Sequence, residues 1–186
     1  MKKIITVLCI CLLGTLSVSR VMGQVTTNDL SLGMPELNLL SSLNTPVSLV
    51  LTTAVAGEAV LSSISDENSR LKISSIIAEG KTRTISAKIT AGGVPAGTTL
   101  TMIAMAPNTN FGGTPGILVG TDVTLSTSAD ASIISAIGSC YSGTTGDDGY
   151  KLKYTWGLNN PASTYGAIRA SAGSAVTITL TLSAGL

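Results

Sequence analysis

The chain contains no histidine. That absence removes the commonest general base, the Ser-His-Asp triad and the usual zinc ligand sets. Aromatic residues make up 3% of the sequence, too few for the stacking platforms of sugar-binding or single-strand-binding surfaces. Charged residues make up 11%, against roughly 25% in ordinary globular domains. Serine, threonine, asparagine and glycine must therefore wet the surface. No run of like charge stands out, so the sequence gives no electrostatic case for nucleic acid or for an anionic membrane. Cysteine is scarce as well. Cys9 and Cys11 sit in an N-terminal apolar run, which leaves Cys140 without a disulfide partner. Its plainest role is that of a small buried hydrophobe, because Ser139, Tyr141 and Ser142 offer no base to activate a thiol.

What is present begins with an export signal. Lys2 and Lys3 precede an apolar run from Ile4 to Leu16, and Val21-Met22-Gly23 offers a cleavage site before Gln24. Ser17, Ser19 and Arg20 interrupt the run too soon for a membrane span. The expected layout is a signal peptide over residues 1–23, an N-terminal arm over 24–46 and a β-domain over 47–186, with no transmembrane anchor after cleavage. Lys2, Lys3 and Arg20 leave with the signal. Eight of the eleven basic residues then face ten acidic ones, a net charge of −2.

Alternation dominates the rest. In Ser174–Leu182, Val176, Ile178, Leu180 and Leu182 share one face and Thr177, Thr179 and Thr181 the other, a strand with one buried and one wet side. Val47, Leu49 and Leu51 repeat the pattern, as do Ile85, Ala87 and Ile89, and Tyr150, Leu152, Tyr154 and Trp156. Residues 99–106 are apolar on both faces and read as a central strand. Residues 117–125 read as one strand, and 128–137 as another through Ile133-Ile134. Leu71–Ile77 slips phase at Ser74-Ser75, which suggests a bulge. Glu79-Gly80-Lys81 has hairpin-turn chemistry, and Asp66-Glu67-Asn68-Ser69 reads as a turn inside a loop over 56–70. About eight or nine short strands with turns between them predict an antiparallel β-sandwich of the immunoglobulin-like kind.

Candidate chemistry is thin. Asp66, Glu67, Asp122, Asp130, Asp147 and Asp148 could supply paired carboxylates only if two faced a cleft, and all but Asp122 fall in expected turns. Gly146-Asp147-Asp148-Gly149 offers oxygen ligands of the type calcium takes, without the full ligand spacing. No catalytic residue, cofactor or metal site is expected. Two long loops, 107–116 and 138–149, are candidates for binding, with Phe111, Tyr141, Asp147 and Asp148 as their contact residues.

The arm alternates through Leu30, Leu32 and Met34 before Pro35 stops it. A signal peptide, such an arm, a Thr-rich β-domain and a terminal alternating strand together resemble the secreted pilin or fimbrial subunits of Gram-negative bacteria, of the chaperone–usher kind, and the related spore-coat-U-type proteins. The resemblance implies an extracellular structural subunit that assembles into a homo-oligomer or polymer. Leu30, Leu32 and Met34 would insert beside an acceptor strand carrying Val176, Ile178, Leu180 and Leu182 of a neighbour, with a periplasmic chaperone and an outer-membrane usher as partners. A monomeric secreted adhesin or carbohydrate-binding module is the alternative, with the two loops as its site.

Overall fold

The structure, a computed structural model, describes residues 30–43, 46–52, 55–59, 62–107, 110–159, 161–170 and 173–184. The expected signal segment, the start of the arm and the Asn44-Thr45 turn lie outside them. The chain divides into Met1–Met34 and Pro35–Leu186. Within the first unit, Leu30–Met34 carries no regular structure and Leu30, Leu32 and Met34 are exposed at 81%, 86% and 77%.

The second unit is an antiparallel β-sandwich, as the alternation predicts. Its strands are β1 (Leu37–Leu43), β2 (Ser63–Ile76), β3 (Arg83–Ala91), β4 (Thr98–Met105), β5 (Gly112–Gly113), β6 (Ile117–Leu118), β7 (Val123–Thr124), β8 (Ala131–Ile137), β9 (Cys140–Tyr141), β10 (Tyr150–Leu158) and β11 (Thr177–Leu182). A single helical turn, α1 (Pro161–Thr164), runs into a 3-10 turn at Tyr165–Ala167. No helix among the described residues is long and apolar enough to cross a membrane.

One sheet has seven strands. β10 lies between β2 and β4, and β4 pairs with β7. The long β2 carries β10 and then β9 along one edge and β1 along the other. The second sheet runs β11-β3-β8-β6. The longer strands β2, β3, β4, β8, β10 and β11 alternate between the two sheets. The turn at Glu79-Gly80 is therefore present, with Gly80 at φ 74°, but it is not the hairpin its residues predict. It carries the chain from one sheet to the other. Turn residues fix where a chain reverses, not which strand it bonds afterwards.

The core lies between the sheets. Leu71 and Ile73 of β2, Leu100 and Met102 of β4, and Tyr150, Leu152 and Tyr154 of β10 face Ile85, Ala87 and Ile89 of β3 and Ile133, Ile134 and Ile137 of β8. Burying each large aliphatic side chain is worth about 1.5–3 kcal/mol. Trp156 packs on this core at its margin and donates its indole N–H to Thr98 Oγ1 at 2.9 Å.

Four expectations of local structure are corrected. Residues 46–52 form no strand; Leu49 packs against the core while Val47 and Val50 are exposed. Asp66–Ser69 is not a turn in a loop but the middle of β2. Leu152 pairs with Ser69 and Tyr154 with Asp66, so an extra residue bulges from β2 at Glu67-Asn68. Asp66 accepts the backbone N–H of Asn68 at 3.0 Å, and that local bond gives the bulge its turn-like composition. The supposed slip at Ser74-Ser75 is absent, because Ser75 simply occupies an inward position and is buried. Residues 117–125 split into β6 and β7 on different sheets, parted at Gly120-Thr121-Asp122. In β8, two register shifts against β3 let Ile133 and Ile134 both face the core.

Candidate functional site

The candidate acceptor strand is β11, with Val176 just before it. Its register on β3 runs Ile178↔Ile89, Leu180↔Ala87 and Leu182↔Ile85, so its apolar residues turn toward the core and its threonines away. Among the described residues β11 pairs with β3 alone. Its other edge therefore presents unpaired backbone groups, as sheet edges do. On the facing sheet the corresponding edge is β1, which pairs along its whole length with β2, from Leu37↔Ile76 to Leu43↔Arg70.

Between these two edges runs a half-open seam of about 140 Å³, lined by Leu40 and Ser42 of β1, Leu71, Tyr154, and Ile178 and Leu180 of β11, with mostly polar atoms at its accessible wall. Desolvation, with a smaller contribution from the Asp66 charge, pushes the Tyr154 phenol up to about 12. It stays neutral at any ordinary pH.

One end of the seam is clasped by a buried cation. Arg83 donates from Nη2 to Glu36 Oε2 at 3.2 Å and from Nη1 to the Ser183 carbonyl at 3.1 Å. Glu36 Oε1 accepts the Ala78 N–H at 3.3 Å, and Ser183 Oγ accepts the Thr84 N–H at 2.8 Å. The residues just before β1 and just after β11 are thus tied to one guanidinium, which is buried while Glu36 is half exposed. This clasp escapes a reading by residue type. Its signal is phase: counting back from Ile89, Ala87 and Ile85, Arg83 falls on the inward side of β3.

The candidate ligand loops meet. β5 pairs with β9, Gly112↔Tyr141 and Gly113↔Cys140. The Tyr141 ring lies so close over Gly112 that a Cβ there would stand 2.6 Å from it. Tyr141 and Phe111 are both exposed. Asp148 is buried and joins the loops. Its Oδ1 accepts from Asn110 Nδ2 at 3.0 Å and its Oδ2 from the Thr145 N–H at 2.6 Å. The hydroxyl and amide of Thr145, then the Asn110 amide, hold its carboxyl below the usual range. Gly143, at φ 84°, makes room: a Cβ would come within 2.5 Å of Asp148 Oδ2. Asp148 is therefore occupied as a staple, whereas Asp147 lies exposed beside it on the way into the buried Asp148.

Elsewhere the acids do not converge. Asp66 bonds Asn68, and Glu67 bonds Lys151 and, at 3.5 Å, Lys153. No group of three or more Cys, Asp or Glu among the described residues could hold a metal ion. Cys140 is buried, and desolvation pushes its thiol up, away from reactivity. The sequence matches no family model, no curated protein and no solved structure.

Proposed function

We propose that this chain is an extracellular structural subunit, pilin- or fimbria-like, that self-associates by strand exchange at the cell surface. The observation that carries the reading is the open edge of β11, a strand edge with no described partner beside the half-open seam to β1. Leu30, Leu32 and Met34 alternate and are almost fully exposed, an arrangement that costs free energy unless something covers it. Added as a strand along β11 of another copy, they would gain main-chain bonds from the edge and bury alternate side chains in the seam. Burial at about 1.5–3 kcal/mol per side chain makes such an exchange favourable by several kcal/mol before ordering costs. Export would then call for a chaperone to shield the arm and an usher to release it.

The test leaves the sandwich intact. Leu30, Leu32 and Met34 are replaced together by serine and the exported protein is sized by light scattering across a concentration series. The parent should form concentration-dependent oligomers and the triple variant should remain monomeric. A parent that stays monomeric, or a variant that assembles equally well, rejects the reading.

One observation favours a monomeric surface-binding module instead: the two loops are locked together, with Tyr141 and Phe111 exposed on them. Glycan-array binding that disappears in Tyr141→Ala and persists in the triple serine variant would select it.

A further inference from the structure

The sequence shows no charge run, yet the fold builds one. Of the eight basic residues beyond the expected signal, four stand on the outer face of the seven-stranded sheet: Arg70 and Lys72 of β2, and Lys151 and Lys153 of β10. They alternate with the buried Ser69, Leu71, Ile73, Tyr150, Leu152 and Tyr154. A period of two spreads these charges along the chain, and strand pairing brings them together. Among the described residues, Glu67 is the carboxylate in ion pairs with them, at Lys151 and Lys153, while Arg70 donates to the Glu67 carbonyl at 3.1 Å and Lys72 to the Thr144 carbonyl at 2.9 Å. The face keeps a net charge of +3 in a protein whose net charge after signal removal is negative.

Its geometry is more specific than its charge. Arg70 and Lys151 are directly opposite one another in the β2–β10 register, and like charges so placed destabilise a sheet. Both are flanked by apolar partners. Leu43 pairs with Arg70 and Met105 with Lys151, so one row across four strands reads Leu43, Arg70, Lys151, Met105. At about 4.8 Å between strands the row spans roughly 14 Å. On β1, Leu39 and Leu43 are 57% and 48% exposed on this face.

We propose that this face docks on an anionic phospholipid bilayer. The cations would meet headgroup phosphates while Leu39 and Leu43 reach the acyl boundary beneath them. Charge argues against a second copy, since two such faces repel. A soluble polyanion would satisfy the cations but leave the leucines in water. A lipid surface satisfies both, and its phosphates add to the one carboxylate, Glu67, that is paired within the four cations. The inference does not depend on strand exchange, because it uses a different surface.

The test is flotation of the exported protein with vesicles of phosphatidylcholine alone and of phosphatidylcholine with one-quarter phosphatidylglycerol, at low and high salt. Binding is expected to the anionic vesicles and to fall steeply with salt. Each charge removed should weaken it about fivefold. The double variant Arg70→Gln with Lys72→Gln should therefore lose about 25-fold, while Glu67→Gln, which frees two lysines, should bind more tightly. Leu39→Ser with Leu43→Ser should remove the binding that survives high salt. Circular dichroism of each variant separates lost binding from lost fold, and the gain in Glu67→Gln does not depend on a loss. Equal binding to neutral vesicles, indifference to both double variants, or binding to a sulfated polysaccharide in place of vesicles overturns the proposal.

Discussion

The two sheets bury the same pattern in different materials. The seven-stranded sheet offers the core large and partly polar side chains, Tyr150, Tyr154 and Trp156 beside Leu71 and Leu152. The four-stranded sheet answers with small or branched aliphatics, Ile85, Ala87, Ile89, Ile133, Ile134 and Ile137. Their outer faces differ as sharply. One carries cations between Leu43 and Met105. The other carries mostly hydroxyls, Thr84, Ser86 and Thr90 on β3 and Thr177, Thr179 and Thr181 on β11, with Lys88 among them opposite Thr179 and with Thr90 and Thr179 bonded across strands at 2.8 Å. Threonine outside a strand suits the pleat and asks for no partner; a cluster of cations does. The difference teaches that the hydroxyl face serves the fold, while the cationic face costs it something.

The largest test asks whether these unlike sheets are one cooperative body. Leu152→Ala in one and Ile134→Ala in the other should each cost about 3 kcal/mol, because both side chains are fully buried and face across the sandwich. Urea unfolding should remain a single transition in both. Two transitions, with each variant moving its own, would break the comparison. The longer strands from β2 to β11 alternate between the sheets and pair with partners far away in sequence, so neither sheet can form from local contacts, and slow folding is expected with the single transition.

The clasp tests a contact that belongs to both edges. Glu36→Ala leaves Arg83 buried without its carboxylate, whereas Arg83→Met removes the buried charge and leaves Glu36 half in water. The first should cost about 2 kcal/mol and the second clearly less. Thermal melts of the two variants give the order, and the reverse order would mean that Arg83 is held chiefly by Ser183.

A third test uses pH, because the two buried tyrosines, Tyr150 and Tyr154, lie in one sheet. Burial raises the phenols of both Tyr150 and Tyr154, the latter to about 12. A folded-state value above the unfolded one gives stability that is complete below the unfolded value of about 10 and lost as pH rises toward the folded value. Alkaline unfolding should therefore begin above pH 10, and Tyr154→Phe should move it upward. Chemical melts from pH 8 to pH 12 measure both. A Tyr154→Phe midpoint that follows the parent would put the alkaline weakness elsewhere.

The inner faces were legible in the sequence and the outer faces were not. Alternation at Ile85-Ala87-Ile89, at Tyr150-Leu152-Tyr154 and at Ile178-Leu180-Leu182 is enforced by burial, so it shows in any hydropathy reading. Burial does not enforce where Arg70 and Lys151 meet, since that depends on register between strands about 80 residues apart in sequence. The loop pair is legible because glycine and asparagine mark loops. That Asp148 serves as a staple rather than a ligand needed the position of Asn110. The misread stretches share a cause: bulges and sheet changes insert polar or small residues where a regular strand would not, as at Asp66–Ser69 and Gly120–Asp122.

The smallest effect concerns one such irregularity and separates the sheets at the level of backbone. The extra residues in β8 leave Ala136 at φ 53°, in the left-handed region that costs an L-residue about 1–2 kcal/mol. A Cβ earns nothing there, because the residues on either side, Ser135 and Ile137, already meet the pairing needs of Ile117 and Arg83. Glycine adopts the same backbone freely but has more entropy to lose. The two effects oppose each other and the first is larger. Ala136→Gly should therefore stabilise the protein by about 0.5–1 kcal/mol, read as a higher urea midpoint with an unchanged slope. The seven-stranded sheet has no such position among the described residues, so Ala→Gly at Ala104 in β4 should do the opposite. If both changes weaken the protein alike, the bulge in β8 is not strained, and the four-stranded sheet is as regular in energy as its partner.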